Sequence, residues 1–340
     1  MNSAFQARAS TPVRAAWLRQ LRALRTHRWS AGERVALITA LAIAMGSLFV
    51  TSYSLALGDP VPHRIEAAVV GEPAAHPQTV RAVQSVARES VAFHRYPSTA
   101  AALHAIDRQQ VYAALDLTST RPTLYVASAA GASVARVLER VSAADPSVHV
   151  VDSHPLNPHD PNGLDIFYLM LVATIVGLVT TFQVHAHAGP LSRHQWTLFV
   201  VSLALAGSLV FTLVEGPLLH GLDLPVPESW GILALQLLAV ASFASLLQTL
   251  IGRWAIVPAW LFFVVLGNSA SGGAVAPPLL PHPFAFLSQW LPSGATVTAL
   301  RDAIYFPDYP RLRPIGVLGI WAAGLFAAMI VTTRRRPGAQ

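Results

Sequence analysis

The stretch LGNSASGGAVAPPLLPHPFAFLSQWLPSGATVTALRDAIY, residues 266–305, decides how this chain is built. An apolar run ends there in Gly267, Asn268 and a cluster of small residues, and Pro277, Pro278, Pro281 and Pro283 then stop any regular helix. Residues 284–290 are too few to cross a bilayer, so they are expected to lie in its interface or to re-enter it. Ser293 is available to cap a helix over 294–306, in which Arg301 and Asp302 read as a charged pair near the outer surface. A last apolar run, 315–333, follows. A shaped segment of this kind between two apolar runs marks a polytopic membrane protein.

Working back towards the N-terminus, apolar runs occupy 164–184, 196–214, 230–251 and 254–275, each close to the roughly 20 residues that a hydrocarbon core requires. Trp196, Trp230 and Trp254 stand at their edges, where interfacial anchors belong. Composition agrees, with 53% hydrophobic and 12% charged residues and a mean hydropathy of +0.48. Residues 1–34 carry Arg8, Arg14, Arg19, Arg22, Arg25, Arg28 and Arg34 against the single acid Glu33, and an uncharged run, 35–57, follows. That run is longer than a cleavable signal core and reads as a retained signal anchor with its arginine flank in the cytoplasm.

Between 58 and 163 the pattern changes. Strands are expected at 64–71, 91–96, 111–117, 123–127 and 148–151, with helices at 77–89, 98–107 (capped by Ser98) and 132–144. The fold class is therefore an α-helical polytopic membrane protein with six transmembrane helices, arranged as one plus five. An extracytoplasmic α/β domain is inserted between the first and second. The five-helix bundle runs over 164–333, with an outer re-entrant or interfacial segment at 276–313 and a cytoplasmic tail at 334–340. Arg193, Arg253 and Arg334, Arg335 and Arg336 place both termini inside.

Several chemistries are excluded or disfavoured. There is no cysteine, hence no disulfide or thiolate site, and the 23 basic residues are all arginine, so the chain lacks the lysine of a Walker A loop. The histidines (His149, His154 and His159; His185, His187 and His194) match no defined metal spacing, and no G-x-S-x-G elbow occurs. Neither a cofactor nor an enzymatic activity is expected, and the arginines sit where topology, not nucleic acid, would place them. No aspartate lies mid-span, which disfavours proton-driven export by this chain alone.

Three sets of residues remain as candidates. Glu215, at the end of a span, either reaches water or serves function. Gln236 and Gln248 are expected to make interhelical hydrogen bonds. Asn268, Ser269, Ser271, Gly272 and Gly273 let a helix unwind; with Glu215, Arg301 and Asp302 they form a candidate substrate path or lateral gate, against the alternative of a loop that covers the bundle.

The blocks Gly267, Asn268, Ser271, Gly272, Gly273, Leu280, Pro281 and Pro292, Gly294, Ala295, Leu300, Arg301, Tyr305 resemble those of the phage infection protein (Pip-like) family, related to ABC-2-type permeases. One long span, an outer domain and a cluster of five spans complete the resemblance over about 34–335. Family members often have a longer outer region, and an N-x-D motif where this chain has Gly71, Glu72 and Pro73. The resemblance implies a permease-like protein of the bacterial plasma membrane that exports an amphiphilic or envelope-related molecule. It also implies a separate ATPase subunit, a coupling surface at Arg19, Arg22, Arg25 and Arg253, and a homodimer. The alternative is a non-transporting receptor, phage attachment factor or assembly scaffold presenting the outer domain.

Overall fold

The computed structural model describes residues 30–58 and 60–334. The chain separates into two compact units, Met1–Ser47 and Leu48–Gln340. In the first, the helix Ala31–Leu57 begins at a reciprocal capping box: the Glu33 N–H donates to Ser30 Oγ (3.2 Å) and the Ser30 N–H to Glu33 Oε2 (2.7 Å). Its remaining turns run into the second unit.

Among the described residues, five helices are long and apolar enough to cross a membrane: Ala31–Leu57, Asp165–His187, Arg193–Leu218, Val226–Asn268 and Leu312–Thr333. The fourth has 43 residues, which unbroken would extend roughly 65 Å, about twice a hydrocarbon core. It does not run straight. Gly252 adopts φ +61°, a backbone that a side chain resists, and ends the first arm at Ile251. The Phe243 ring then lies 5.0 Å from that of Phe262 and 5.5 Å from that of Phe263, centroid to centroid. Residues about 20 positions apart can touch in this way only if the chain folds back on itself.

The arm Val226–Ile251 is the central helix of the bundle and packs against Asp165–His187, Pro292–Tyr305 and Leu312–Arg334. The approach to Asp165–His187 is close because Gly177 has no side chain: a Cβ there would lie 2.8 Å from Val240 Cγ1. Three stretches widen into π-helix, Leu203–Gly207, Val214–Leu218 and Leu261–Asn268. A π turn displaces carbonyls from the regular ladder, and here side chains collect them. Trp230 Nε1 donates to the Leu205 carbonyl (2.9 Å) and Ser208 Oγ to that of Ala204 (2.6 Å).

Between the first two membrane-length helices lies a five-stranded mixed sheet of order β2-β1-β3-β4-β5, with β1 Ile65–Val70, β2 Val91–Arg95, β3 Ala113–Asp116, β4 Thr123–Val126 and β5 His149–Asp152. Only the β3–β4 pairing is antiparallel. All five strands and the helices Pro77–Val86, Thr99–Asp107 and Ala132–Glu139 occur where the pattern predicts them, and Ser98 does accept a cap bond from the Ala101 N–H (3.2 Å). Alternation along the strands sends Ile65, Ala67, Val69 and Leu115 to one core and Ala68, Val70 and Ala114 to the other.

The two span glutamines differ. Gln236 is fully buried and joins three helices: its Nε2 donates to Thr174 Oγ1 (3.1 Å), and its Oε1 lies 3.0 Å from the Thr296 hydroxyl. Gln248 does not fulfil the same expectation, since its Oε1 is buried without a partner. Gln236→Leu is therefore expected to lower unfolding stability by about 0.6–1.7 kcal/mol, the range for interhelical bonds in bilayers. Gln248→Leu should leave it unchanged or higher. Thermal unfolding in one detergent compares the two, and an equal loss in both would refute the bridge.

Candidate functional site

Residues 265–273 close the last π-wound turn largely with their own hydroxyls. Ser269 Oγ donates to the Val265 carbonyl (2.5 Å), Ser52 Oγ, from the first helix, donates to the same carbonyl (2.8 Å), and the two hydroxyls lie 2.9 Å apart. Ser271 Oγ donates to the Asn268 carbonyl (2.8 Å) and accepts from the Gly273 N–H (3.3 Å). Asn268 is buried beside the Tyr53 hydroxyl with neither amide atom in a well-formed hydrogen bond. Gly272 turns the chain at φ +73°, and at Gly273 a Cβ would press on the Phe167 ring, 2.8 Å from its Cβ.

The chain then enters the sheet. Val275, Ala276, Leu279 and Leu280 belong to the same buried cluster as Ile65, Ala67 and Leu115, with Leu280 fully buried. The Ala276 N–H donates to Ser133 Oγ (2.9 Å) and the His63 N–H to the Pro278 carbonyl (2.9 Å). On the opposite face, Phe306 joins Ala68, Val70 and Ile106 and stacks on His154 (5.0 Å between rings). The segment expected to re-enter or lie in the interface is, at 275–280 and at 306, part of the core of the sheet. Its intervening short helix, His282–Ser288, carries the more exposed Phe286.

The helix after it is Pro292–Tyr305, starting two residues and ending one residue earlier than expected. Ser293 is not its cap: it sits in the first turn, buried, with Oγ unpartnered and close against Gly267, and the missing N–H of Pro292 supplies the start. Nor do Arg301 and Asp302 pair with each other. Successive helix positions diverge by about 100°, so the two side chains face different neighbours. Asp302, 2% exposed, is gripped by Arg311 from Nε (3.0 Å to Oδ2) and Nη2 (2.6 Å to Oδ1), by the Arg311 N–H (3.2 Å) and by Gln109 Nε2 (2.9 Å). Arg301 is 9% exposed, and its one hydrogen bond runs from Nη2 to the Gly272 carbonyl (3.2 Å). Burial draws its guanidinium below the ordinary arginine range; the neighbouring Arg311 acts the same way, while Asp302 opposes it.

No family model, curated protein or solved structure matches this chain. What the site can do must therefore be read from its own geometry.

Of the sequence candidates, Gly272, Gly273 and Arg301 meet around one small cavity of about 10 Å³, together with Asp160 and Tyr305, which is room for a single water. Asn268, Ser269 and Ser271 lie behind it in packed interior. Glu215 stands apart from them, beside Asp165 and packed against Gly221, in the π-wound end of the Arg193–Leu218 helix. Asp302 also borders a separate groove of about 690 Å³, walled by Ile232, Leu235, Leu312 and Ile315 and rimmed by Glu228. Arg253 is exposed on the hairpin turn, its guanidinium 5.4 Å from the Trp254 ring centre. Arg19, Arg22 and Arg25 lie outside the described residues. Sequence reasoning missed Gln109, Tyr112, Ser133 and Arg311 as partners of the site. Gln109 could have been flagged by the polar GlnGln pair that breaks helix before β3, held here at φ +54°.

Two substitutions test this description. Gly272→Ala forces a Cβ into left-handed backbone, and is expected to destabilise the protein by about 1–2 kcal/mol. In a double-mutant cycle, Asp302→Asn and Arg311→Gln should show a coupling of about 1–2 kcal/mol, moderated because Arg311 is 39% exposed. Additive effects in thermal unfolding would show that the clasp contributes nothing.

Proposed function

We propose that this chain is a permease-like membrane protein, akin to the ABC-2-type permeases and the phage infection protein family, that takes part in exporting an amphiphilic or envelope-related molecule. The observation that carries this reading is the groove bordered by Asp302. Its volume, about 690 Å³, falls in the range of small-molecule sites, its walls are apolar, and Glu228 puts a charge at its rim, the Asp302 carboxylate being already held by Arg311. An amphiphile fits such a groove with its tail along Ile232, Leu235, Leu312 and Ile315 and its polar end at the rim.

The hairpin at Gly252 favours counting its two arms as separate crossings, which gives six spans with the sheet inserted after the first. Arg193 and Arg253 are exposed at the helix ends remote from the sheet, while Asp160, Asp165, Asp223 and Glu228 gather at the sheet end. By the positive-inside rule the sheet then lies outside a bacterial plasma membrane and both termini inside. Energy comes in this reading from a separate nucleotide-binding subunit engaging the cytoplasmic face, with Arg253 and the arginine-rich N-terminal segment as its contact, and the chain acts as a homodimer. These last points rest on analogy with permeases.

One observation favours the rival, a receptor, phage attachment factor or assembly scaffold. Segment 275–280 is consumed in the core of the sheet, and Ser269 and Ser271 bond to nearby carbonyls, as a fixed support would have them. Copurification from membranes under mild detergent separates the readings: a stoichiometric ATPase subunit is expected, and its absence after crosslinking would favour the scaffold. Because the chain has no cysteine, topology is directly testable with single substitutions and an impermeant maleimide. Ser119→Cys should label in intact cells, whereas Ser192→Cys and Arg253→Cys should label only after permeabilisation. Labelling of Arg253→Cys from outside would overturn the six-span arrangement.

A further inference from the structure

We infer that the chamber between Arg301 and Arg311, where the sheet meets the Pro292–Tyr305 helix, binds a phosphate-type oxyanion. The chamber has a volume of about 40 Å³, roughly three times what one water needs, and is lined by Gln109, Tyr112, Thr298, Arg301 and Arg311. No carboxylate is among its lining residues.

Charge makes the case. Two carboxylates lie near the two guanidiniums: Asp160, across the Gly272-side cavity, accepts from the Leu164 and Asp165 N–H groups, and the orientation of Asp302 decides which cation it serves. Its oxygens face Arg311 and Gln109, so Arg301 is the cation without an acid partner. A nine-tenths buried guanidinium with one hydrogen bond to a carbonyl is a costly arrangement unless an anion or water completes it. On the Gly272 side the space holds one water and includes Asp160, which repels an anion. The opposite side holds the larger space and no acid in its lining, with Asp302 standing behind Gln109 and Arg311.

Donors complete the site. Among the described residues the Tyr112 and Thr298 hydroxyls have no hydrogen-bond partner, and both residues line the chamber, so each is free to donate. Burial pushes the Tyr112 phenol above its ordinary range, although Arg301 and Arg311 pull it back, which keeps it a neutral donor. A fixed guanidinium fork with hydroxyl donors beside it is the arrangement that tetrahedral oxyanions select. Two sources offer that chemistry, a soluble phosphate and the headgroup of an anionic phospholipid. The inference stands whether or not the chain exports anything, because binding needs neither substrate nor ATPase.

The test uses the full chain in nanodiscs of zwitterionic lipid at constant ionic strength, with thermal unfolding as readout. One arm titrates inorganic phosphate against chloride; the other replaces part of the lipid with phosphatidic acid. A rise in Tm with phosphate supports a soluble ligand, and a rise with phosphatidic acid alone supports a lipid headgroup. In either arm Arg301→Gln should weaken the apparent affinity by about tenfold or more, as loss of a charge-assisted bond does. No rise in either arm, or an unchanged response in Arg301→Gln, overturns the inference. Should that variant not fold, Tyr112→Phe, which removes only a hydroxyl, decides: a weakened response supports the site and an identical one refutes it.

Discussion

The clasp on Asp302 is the constraint on which the sheet-bearing half of the molecule depends. Its carboxylate receives Gln109 from the turn that leads into β3, sits on the Pro292–Tyr305 helix, and takes both side-chain and backbone donors from Arg311 at the head of the last membrane-length helix. Three parts of the chain thus converge on two oxygen atoms. A buried carboxylate is tolerated only when its lone pairs are filled, and these are. The consequence is that the sheet and the helices cannot shift relative to one another here without exposing a charge to an apolar interior.

The same junction explains why the sheet needs the bundle for its own core. Val275, Ala276, Leu279 and Leu280 fill one face and Phe306 the other, so that a single excursion of the chain between two helices clamps the sheet on both sides. The prolines at 277, 278, 281 and 283 suit this task. Pro277 and Pro278 open the short 3-10 turn Pro277–Leu279, where the Pro278 carbonyl accepts from the His63 N–H; Pro281 is extended, and Pro283 stands in the first turn of the helix His282–Ser288.

Much of this was legible in the sequence, and the limits have physical causes. The near-continuous apolar run IEAAVV, the alternation in TLYV, the cap at Ser98 and the glycine and proline punctuation placed every strand, because local pattern dictates local structure. Hydropathy found the apolar runs but could not show the π turns, which depend on partners far away in sequence such as Trp230 for Leu205. The outer segment was read as a unit for the same reason that its neighbours were misjudged. Proline and small residues announce irregular backbone, whereas what that backbone packs against is a long-range fact. Arg301 and Asp302 show the point most sharply. Adjacent opposite charges suggest a pair, yet helical geometry turns them apart and gives Asp302 a partner nine residues away.

That separation has a chemical consequence. Had Asp302 served Arg301, the Pro292–Tyr305 helix would carry a closed ion pair and the region around Tyr112 and Thr298 would be electrically inert. By giving its carboxylate to Arg311, the fold holds the last helix in place and leaves a buried cation facing a space with two idle hydroxyls. Stability alone does not favour that choice, since an apolar residue at 301 would fill the volume without a desolvation cost. A charge kept at such a position against its own burial is the kind of local inconsistency that binding, not folding, accounts for.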